Sequence, residues 1–494
     1  MTPHEASPPT VFWPRCTAVD GCTGRAAGDL GGCPAHLRPR EFERFTGALR
    51  PGADLDLRGV TVPPWLLDGV LDAVTGPDGR PHLGRARFDG AVLPADVGMR
   101  GLCVEGDSSF DGARFLGGAS FYDARFFGNV SFRGARFGRN ASFHEARFHR
   151  HASFEEAVFT GDALFGETRW HADAAFRGAM LMGAACFDRA RFGRDAAMQG
   201  ACFRGDVSFR RVQVARHARF ERARFRHGAW LGPLAAGGRI ALSDATVHGG
   251  LRVHAAARQV IARGAIVHGE ADFRLRHAEL DLEDAVFEGP AAVRALAHPI
   301  QGLPEPPAGA GPSGVRLLSL RRADATRLLL ADIDLSGCGF LGLRRPDALR
   351  ISGDCAFATA PGRRRPRPWR RRDRAVLAED LAGGAGRDDR LRTLYQELAR
   401  ATADSDRDRL ARDFRYSALE MRRHGERDPW RRAGLHLLWI TCGYGLRAGR
   451  AVAWLAVIVA LLCCGASLVR HDDRTRHDDR TGGVRAAHMG ARHT

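Results

Sequence analysis

The chain has 494 residues and a formal charge of +17, carried by arginine alone because the sequence contains no lysine. That length allows two or three domains with a full apolar core, while the missing lysine excludes a Walker-type phosphate loop and any lysine Schiff base. Eleven cysteines, with no basic and hydrophobic signal peptide at the start, favour a reducing compartment over a disulfide framework.

Residues 1–38 contain Cys16, Cys22, Cys33 and His36. Three thiols and an imidazole could surround a structural zinc with no open coordination position, and a metal would let so short a segment fold without a core of its own. The gap between Cys16 and Cys22 exceeds the usual spacing of zinc ligands, so chance proximity of the cysteines stands as the alternative. Residues 39–87 read as a transitional segment. Arg40 to Leu49 fits a short helix, Ala53 to Val62 the first repeat units, and Pro63 to Val74 an apolar helix able to cover the open end of a stack.

From Phe88 to Leu231 a large apolar residue returns at alternating intervals of five and six, as in Phe110, Phe115, Phe121, Phe126 and Phe132. A helix needs intervals of three and four, and an ordinary strand an interval of two. Five and six suit a solenoid whose units are very short strands joined by turns, each centre pointing inward. Four units would close one coil, placing Phe110, Phe132, Phe154 and Phe176 in one internal column and Phe126, Phe148, Trp170 and Phe192 in another. Stacked at the strand spacing of about 4.8 Å, these coils predict a rod on the order of 30 Å long. Two residues before most centres stands a small residue, as in Ala113-Arg114-Phe115 and Ala146-Arg147-Phe148.

This pattern resembles the pentapeptide-repeat family, whose unit is a small residue, a polar residue, a central Leu or Phe and two loosely specified residues. Ala331-Asp332-Ile333-Asp334-Leu335 and Ala53-Asp54-Leu55-Asp56-Leu57 are close to its ideal unit. The resemblance implies a mainly β fold, a right-handed parallel β-helix, with larger turns where every second unit adds a residue. The repeat is expected over 88–298, with its rhythm blurring into an irregular patch past Leu231. A proline- and glycine-rich loop is expected over 299–315, as a bulge or lateral extrusion of the rod, and the last coils over 316–360.

Residues 361–373 form a basic linker in which Arg363, Arg364, Arg365, Arg370, Arg371 and Arg372 suit an anionic membrane surface. Over 374–425 the period changes, and Leu391, Leu394, Tyr395 and Leu398, then Leu410, Phe414, Ala418 and Met421, predict an α-helical hairpin. The stretch Asp413 to Arg423 resembles the segment before the membrane anchor of membrane-associated pentapeptide-repeat proteins of actinobacterial type. An interfacial helix is expected over 431–450, with Trp439 and Tyr444 at headgroup depth. Ala451 to Val469 carries no charge, and at 1.5 Å per residue its length of about 28 Å predicts one transmembrane helix. The tail, 470–494, reads as disordered.

No nucleophile elbow, HExxH pattern or pair of placed carboxylates occurs, so the expectation is a protein that is not an enzyme. It would be a single-pass scaffold of the cell membrane, its N-terminal bulk cytoplasmic, with membrane lipids and an unidentified protein as partners. No cofactor is expected beyond the candidate zinc. The alternatives are a nucleic-acid or topoisomerase-related binding protein and a truncated member of a channel- or transport-like family. Between 107 and 231 arginines outnumber acidic residues, which is the wrong sign for mimicry of DNA. Direct nucleic-acid binding by the basic surface stays open as a weaker alternative.

Overall fold

A computed structural model describes residues 13–304, 314–360, 374–382, 388–404, 407–446 and 452–464. They fall into two compact units, one ending at Ala382 and the other beginning at Gly383.

The first unit is a parallel β-solenoid. Most of its strands are two residues long, and each pairs in parallel with its counterpart one coil away: Val130 with Ala152, Arg136 with Val158, Ala141 with Ala163 and Arg147 with Arg169. Four strand columns therefore surround one interior, and hydrogen bonds between coils step by 22 residues. Side chains alternate across these strands. In Ala152-Ser153-Phe154 the alanine and the phenylalanine both point inward and are fully buried, while Ser153 faces out. That alternation is why a small residue stands two positions before a large one: the pair shares one side of a narrow core.

The alternation of five and six follows from the turns. Two residues after the centres Phe121, Phe143, Phe154 and Phe165 stand Asp123, Glu145, Glu156 and Glu167, all in the left-handed region. At the corresponding place after Phe132, Gly134 has φ +63°. A residue there closes a tight corner and lets the next centre follow after five. Polar side chains at other corners bind the coil above, as where Asn140 accepts the amide of Asp162 at 2.9 Å and Asp162 accepts that of Ala184 at 2.9 Å.

Past Leu231 the solenoid continues through an irregular stretch, where the pairing of Ala229–Ala241 with Leu251–Ile261 shifts register between Leu231 and Leu234 and again between Ala236 and Arg239. Here short sides merge into long strands, Ala229–Ala241 and Leu251–Ile261, and contacts between coils step by 20 residues. Inward residues then recur every second position, with Leu251, Val253, Ala255 and Ala257 all buried. The rhythm of five and six is lost because the local period has become that of an ordinary strand. Ala291 pairs with Leu328 and Glu279 with Arg316, so the chain between those strands loops out of the coil. Residues 305–313 of the expected 299–315 loop lie outside the described residues.

The helices of the transitional segment are Pro39–Ala48 and Pro64–Ala73. Leu66, Leu67, Val70 and Leu71 are buried, and Phe42 meets Trp65 edge-on at 5.0 Å. At the other end, residues 374–382 belong with the solenoid and not with a helical hairpin. Ala375–Val376 pairs antiparallel with Ala358–Thr359, and the buried Glu379 carboxylate accepts the amides of Phe340 and Leu341. Those amides would otherwise end a coil unpaired.

In the second unit the helices Asp388–Asp404 and Asp408–Gly425 pack as a hairpin, with Leu391, Leu394, Leu398, Ala418 and Met421 buried and Tyr395 set 5.8 Å from Phe414. A third helix, Pro429–Cys442, follows. Trp439, expected at headgroup depth, donates its indole N–H to the Tyr416 hydroxyl at 3.0 Å and has Arg423 over its ring. Tyr444 meets Tyr416 at 5.4 Å. Residues 452–464 are helical. Among the described residues no helix is long and apolar enough to cross a membrane. Residues 451 and 465–469 of the expected span lie outside the described residues, as do the basic linker 361–373 and the tail.

Candidate functional site

The N-terminal segment folds as a small knot of turns. A β-bridge joins Arg15 to Arg25, the amide of Cys16 donates to the Gly24 carbonyl at 2.8 Å, and that of Thr17 to Gly31 at 2.9 Å. Pro34–His36 forms one turn of 3-10 helix, which puts the His36 ring back over Cys33. The ligand atoms of Cys16, Cys22, Cys33 and His36 lie within 4.8 Å of one another, and no other group of metal-type donors converges this way among the described residues. His36 Nδ1 is 3.5 Å from Cys16 Sγ and 3.4 Å from Cys33 Sγ, and Cys22 Sγ is 3.8 Å from Cys33 Sγ. All four residues are brought together, with Cys16 and Cys33 buried.

The thiols are unlike one another. Burial pushes the Cys33 thiol up to about 12, helped by the neighbouring Cys22 and Cys16 sulfurs. Burial acts the same way on Cys16, but the Cys33 amide and the His36 ring donate to its sulfur and hold it down at about 6. The segment is tied to the first coil: Arg25 N–H donates to the Arg58 carbonyl at 2.9 Å, Thr23 Oγ1 to the Gly59 carbonyl at 2.9 Å, and Arg25 pairs with Asp56.

A second feature lies on one side of the solenoid. Arg125, Arg147, Arg169 and Arg191 are register partners on successive coils. Each precedes a buried centre and therefore faces outward. No described carboxylate forms an ion pair with any of them. Beside this ladder runs a stack of rings, Phe127 on His149 at 4.6 Å and His149 on His171 at 4.6 Å. Burial lowers the pKa of His149, and His171, Arg147 and Arg125 lower it further, so the imidazole stays neutral on a positive face. At one end, Arg169, His171, Arg191, Gly193 and Pro304 border a groove of about 550 Å³.

The interior columns are aromatic stacks. Phe110, Phe132, Phe154 and Phe176 stack at 4.6, 4.8 and 4.9 Å. Phe126, Phe148, Trp170 and Phe192 stack at 5.4, 4.0 and 5.6 Å. Arg363, Arg364, Arg365, Arg370, Arg371 and Arg372 fall outside the described residues. The arginine ladder was missed by reading the sequence for its apolar centres, although its signal was present as an arginine directly before an aromatic centre every 22 residues, at Arg125, Arg147, Arg169 and Arg191.

These features define the class, a parallel β-solenoid with a core of stacked aromatic residues and helices after it. The family described as Pentapeptide repeats matches in nine copies, over residues 104–147 and 187–232, and this part of the chain is similar to that family. No curated protein matches it.

Proposed function

We propose that this protein is a membrane-tethered scaffold rather than an enzyme. Its solenoid presents the arginine ladder to an acidic surface of a partner protein, and the apolar helix containing residues 452–464 holds it at a bilayer. The observation that carries the reading is the register of Arg125, Arg147, Arg169 and Arg191 on one face. Like charges directly opposite one another on neighbouring strands repel, and a row of carboxylates on a partner removes that cost. The solenoid interior is filled with stacked rings, and the polar groups described on it sit on the outer faces in rows.

Support for the tether comes from the second unit. Val452, Leu455, Ile458, Val459, Leu461 and Leu462 are exposed, Leu455 by 61% and Leu462 by 67%. A run this apolar, with these side chains left exposed among the described residues, suits lipid. The basic sequence 361–373 would add attraction to anionic headgroups of about 1 kcal/mol for each arginine near the surface. The resemblance of Asp413 to Arg423 to the segment before the anchor of membrane-associated relatives points the same way.

The test compares the full chain with a Leu455→Glu, Ile458→Glu double variant in carbonate-washed membranes. The intact chain should remain in the pellet and the variant should be released. Equal retention of both, or release of both, would overturn the tether. A second reading, binding of single-stranded nucleic acid, is favoured by the Phe127–His149–His171 stack beside the ladder. It predicts affinity that falls steeply with salt.

A further inference from the structure

We infer that Cys16, Cys22, Cys33 and His36 bind one structural Zn²⁺ that locks the N-terminal segment as a cap over the first coil. The distances carry the argument. With Zn–S near 2.3 Å and Zn–N near 2.0–2.1 Å, a tetrahedral site has sulfur–sulfur edges of about 3.8 Å and sulfur–nitrogen edges of about 3.5 Å. The Cys22–Cys33 edge is 3.8 Å, and the edges from His36 Nδ1 to Cys16 and Cys33 are 3.5 and 3.4 Å. A single imidazole nitrogen faces two sulfurs at once, as a common metal requires. The sulfur–sulfur gap is far beyond a disulfide bond of about 2.05 Å, and the cysteines are free.

The surroundings suit thiolates held by a metal. The Gly24 amide donates to Cys22 Sγ at 3.4 Å, an outer contact of the kind that steadies metal-bound sulfur. A side chain at residue 24 would meet Cys33 at 3.0 Å and Val60 at 3.2 Å, so the backbone closes tightly over the site. Four protein donors complete a tetrahedron and leave no position for substrate, which makes the site structural.

Its consequence reaches the solenoid. The strand Ala53–Asp56 is the first of its column, and the segment fixed by the four ligands supplies partners to the coil it begins, through Arg25 to the Arg58 carbonyl, Thr23 to the Gly59 carbonyl and Arg25 to Asp56. Unpaired, that end of the stack would be a template for a second chain. Zinc binding and protection of the edge are thus one event.

The experiment uses the full chain, purified reduced, with metal measured by mass spectrometry and the site read by Co²⁺ substitution. One zinc per chain is expected, with a tetrahedral Co²⁺ spectrum carrying thiolate charge transfer. Cys22→Ser should lose the metal, while His36→Cys, which keeps four donors, should retain it. Chelation should speed amide exchange at residues 53–60 at least tenfold and leave coils beyond Ala229 unchanged. Substoichiometric zinc in the reduced wild type, a Co²⁺ spectrum without thiolate bands, or zinc retained by Cys22→Ser would overturn the inference. Membrane retention should be the same with and without the metal, so this result and the tether stand or fall separately.

Discussion

Replacing Phe154 with alanine removes one ring from the middle of an internal column. Phe154 has no exposed surface and stacks between Phe132 at 4.8 Å and Phe176 at 4.9 Å, with Phe143 and Phe165 edge-on at 5.1 and 5.3 Å. Loss of a buried phenylalanine costs about 3–5 kcal/mol through transfer and cavity terms. Two lost ring stacks, at about 0.5–1.5 kcal/mol each, place the expected value toward the top of that range. Phe127→Ala is the comparison: that ring is 37% exposed and stacks on His149 alone, so its loss should cost about 1 kcal/mol. Because each coil touches only its neighbours, the damage should be local. Native-state hydrogen exchange should show amides of residues 132–176 opening on the order of 10³- to 10⁴-fold more readily in Phe154→Ala, with residues 251–287 little changed. Equal costs for the two variants, or uniform loss of protection along the solenoid, would refute a core stabilised by stacked neighbours.

The other predictions concern turns and pH. Gly183→Ala should destabilise by about 1–3 kcal/mol, because an added Cβ meets the backbone of Gly161 and Asp162 at 2.6–2.8 Å; thermal unfolding will show whether the coils can part instead. Gly134→Ala, at φ +63° with open space around it, should cost only the backbone term of about 1–2 kcal/mol. Lowered pKa values link stability to acid in two stages. Burial chiefly holds His149, His217 and His254 below their ordinary value, so the folded chain favours the neutral rings. Their contribution is complete above about pH 6.5 and declines as pH falls through the lower folded values. Asp54, bonded by the Arg85 amide, and Asp284, bonded by Arg322, are also depressed, so their contribution is complete above about pH 4 and is lost below it. A denaturation midpoint that rises between pH 7 and pH 5 would contradict this sign.

The repeat was legible because its core positions are nearly all large and apolar at a spacing no other element shares. What the sequence concealed lies where that spacing changes for a local reason. After Ala229 two sides become one long strand, and Leu251, Val253 and Ala255 follow a strand period that masks the coil. The closing strand at Ala375–Val376 and the Glu379 carboxylate act through pairing with Ala358–Thr359 and the Phe340 amide, contacts no periodicity marks. The four N-terminal ligands were visible as residues, but their meeting depends on the Arg15–Arg25 bridge and the turn at Pro34–His36. The arginine ladder needed the register itself, since residues on adjoining coils become neighbours only when the coil length is known.

Site-directed photocrosslinking in cells would test the scaffold most directly. A photoreactive residue at Phe127 or His171, beside the ladder, is compared with one at Met180 or Leu164, exposed positions in other strand columns. The account predicts a protein adduct in the membrane fraction from the ladder positions, lost when Arg147→Glu and Arg169→Glu are added. Equal adducts from Met180 and Leu164, or ladder adducts indifferent to those charge reversals, would contradict it.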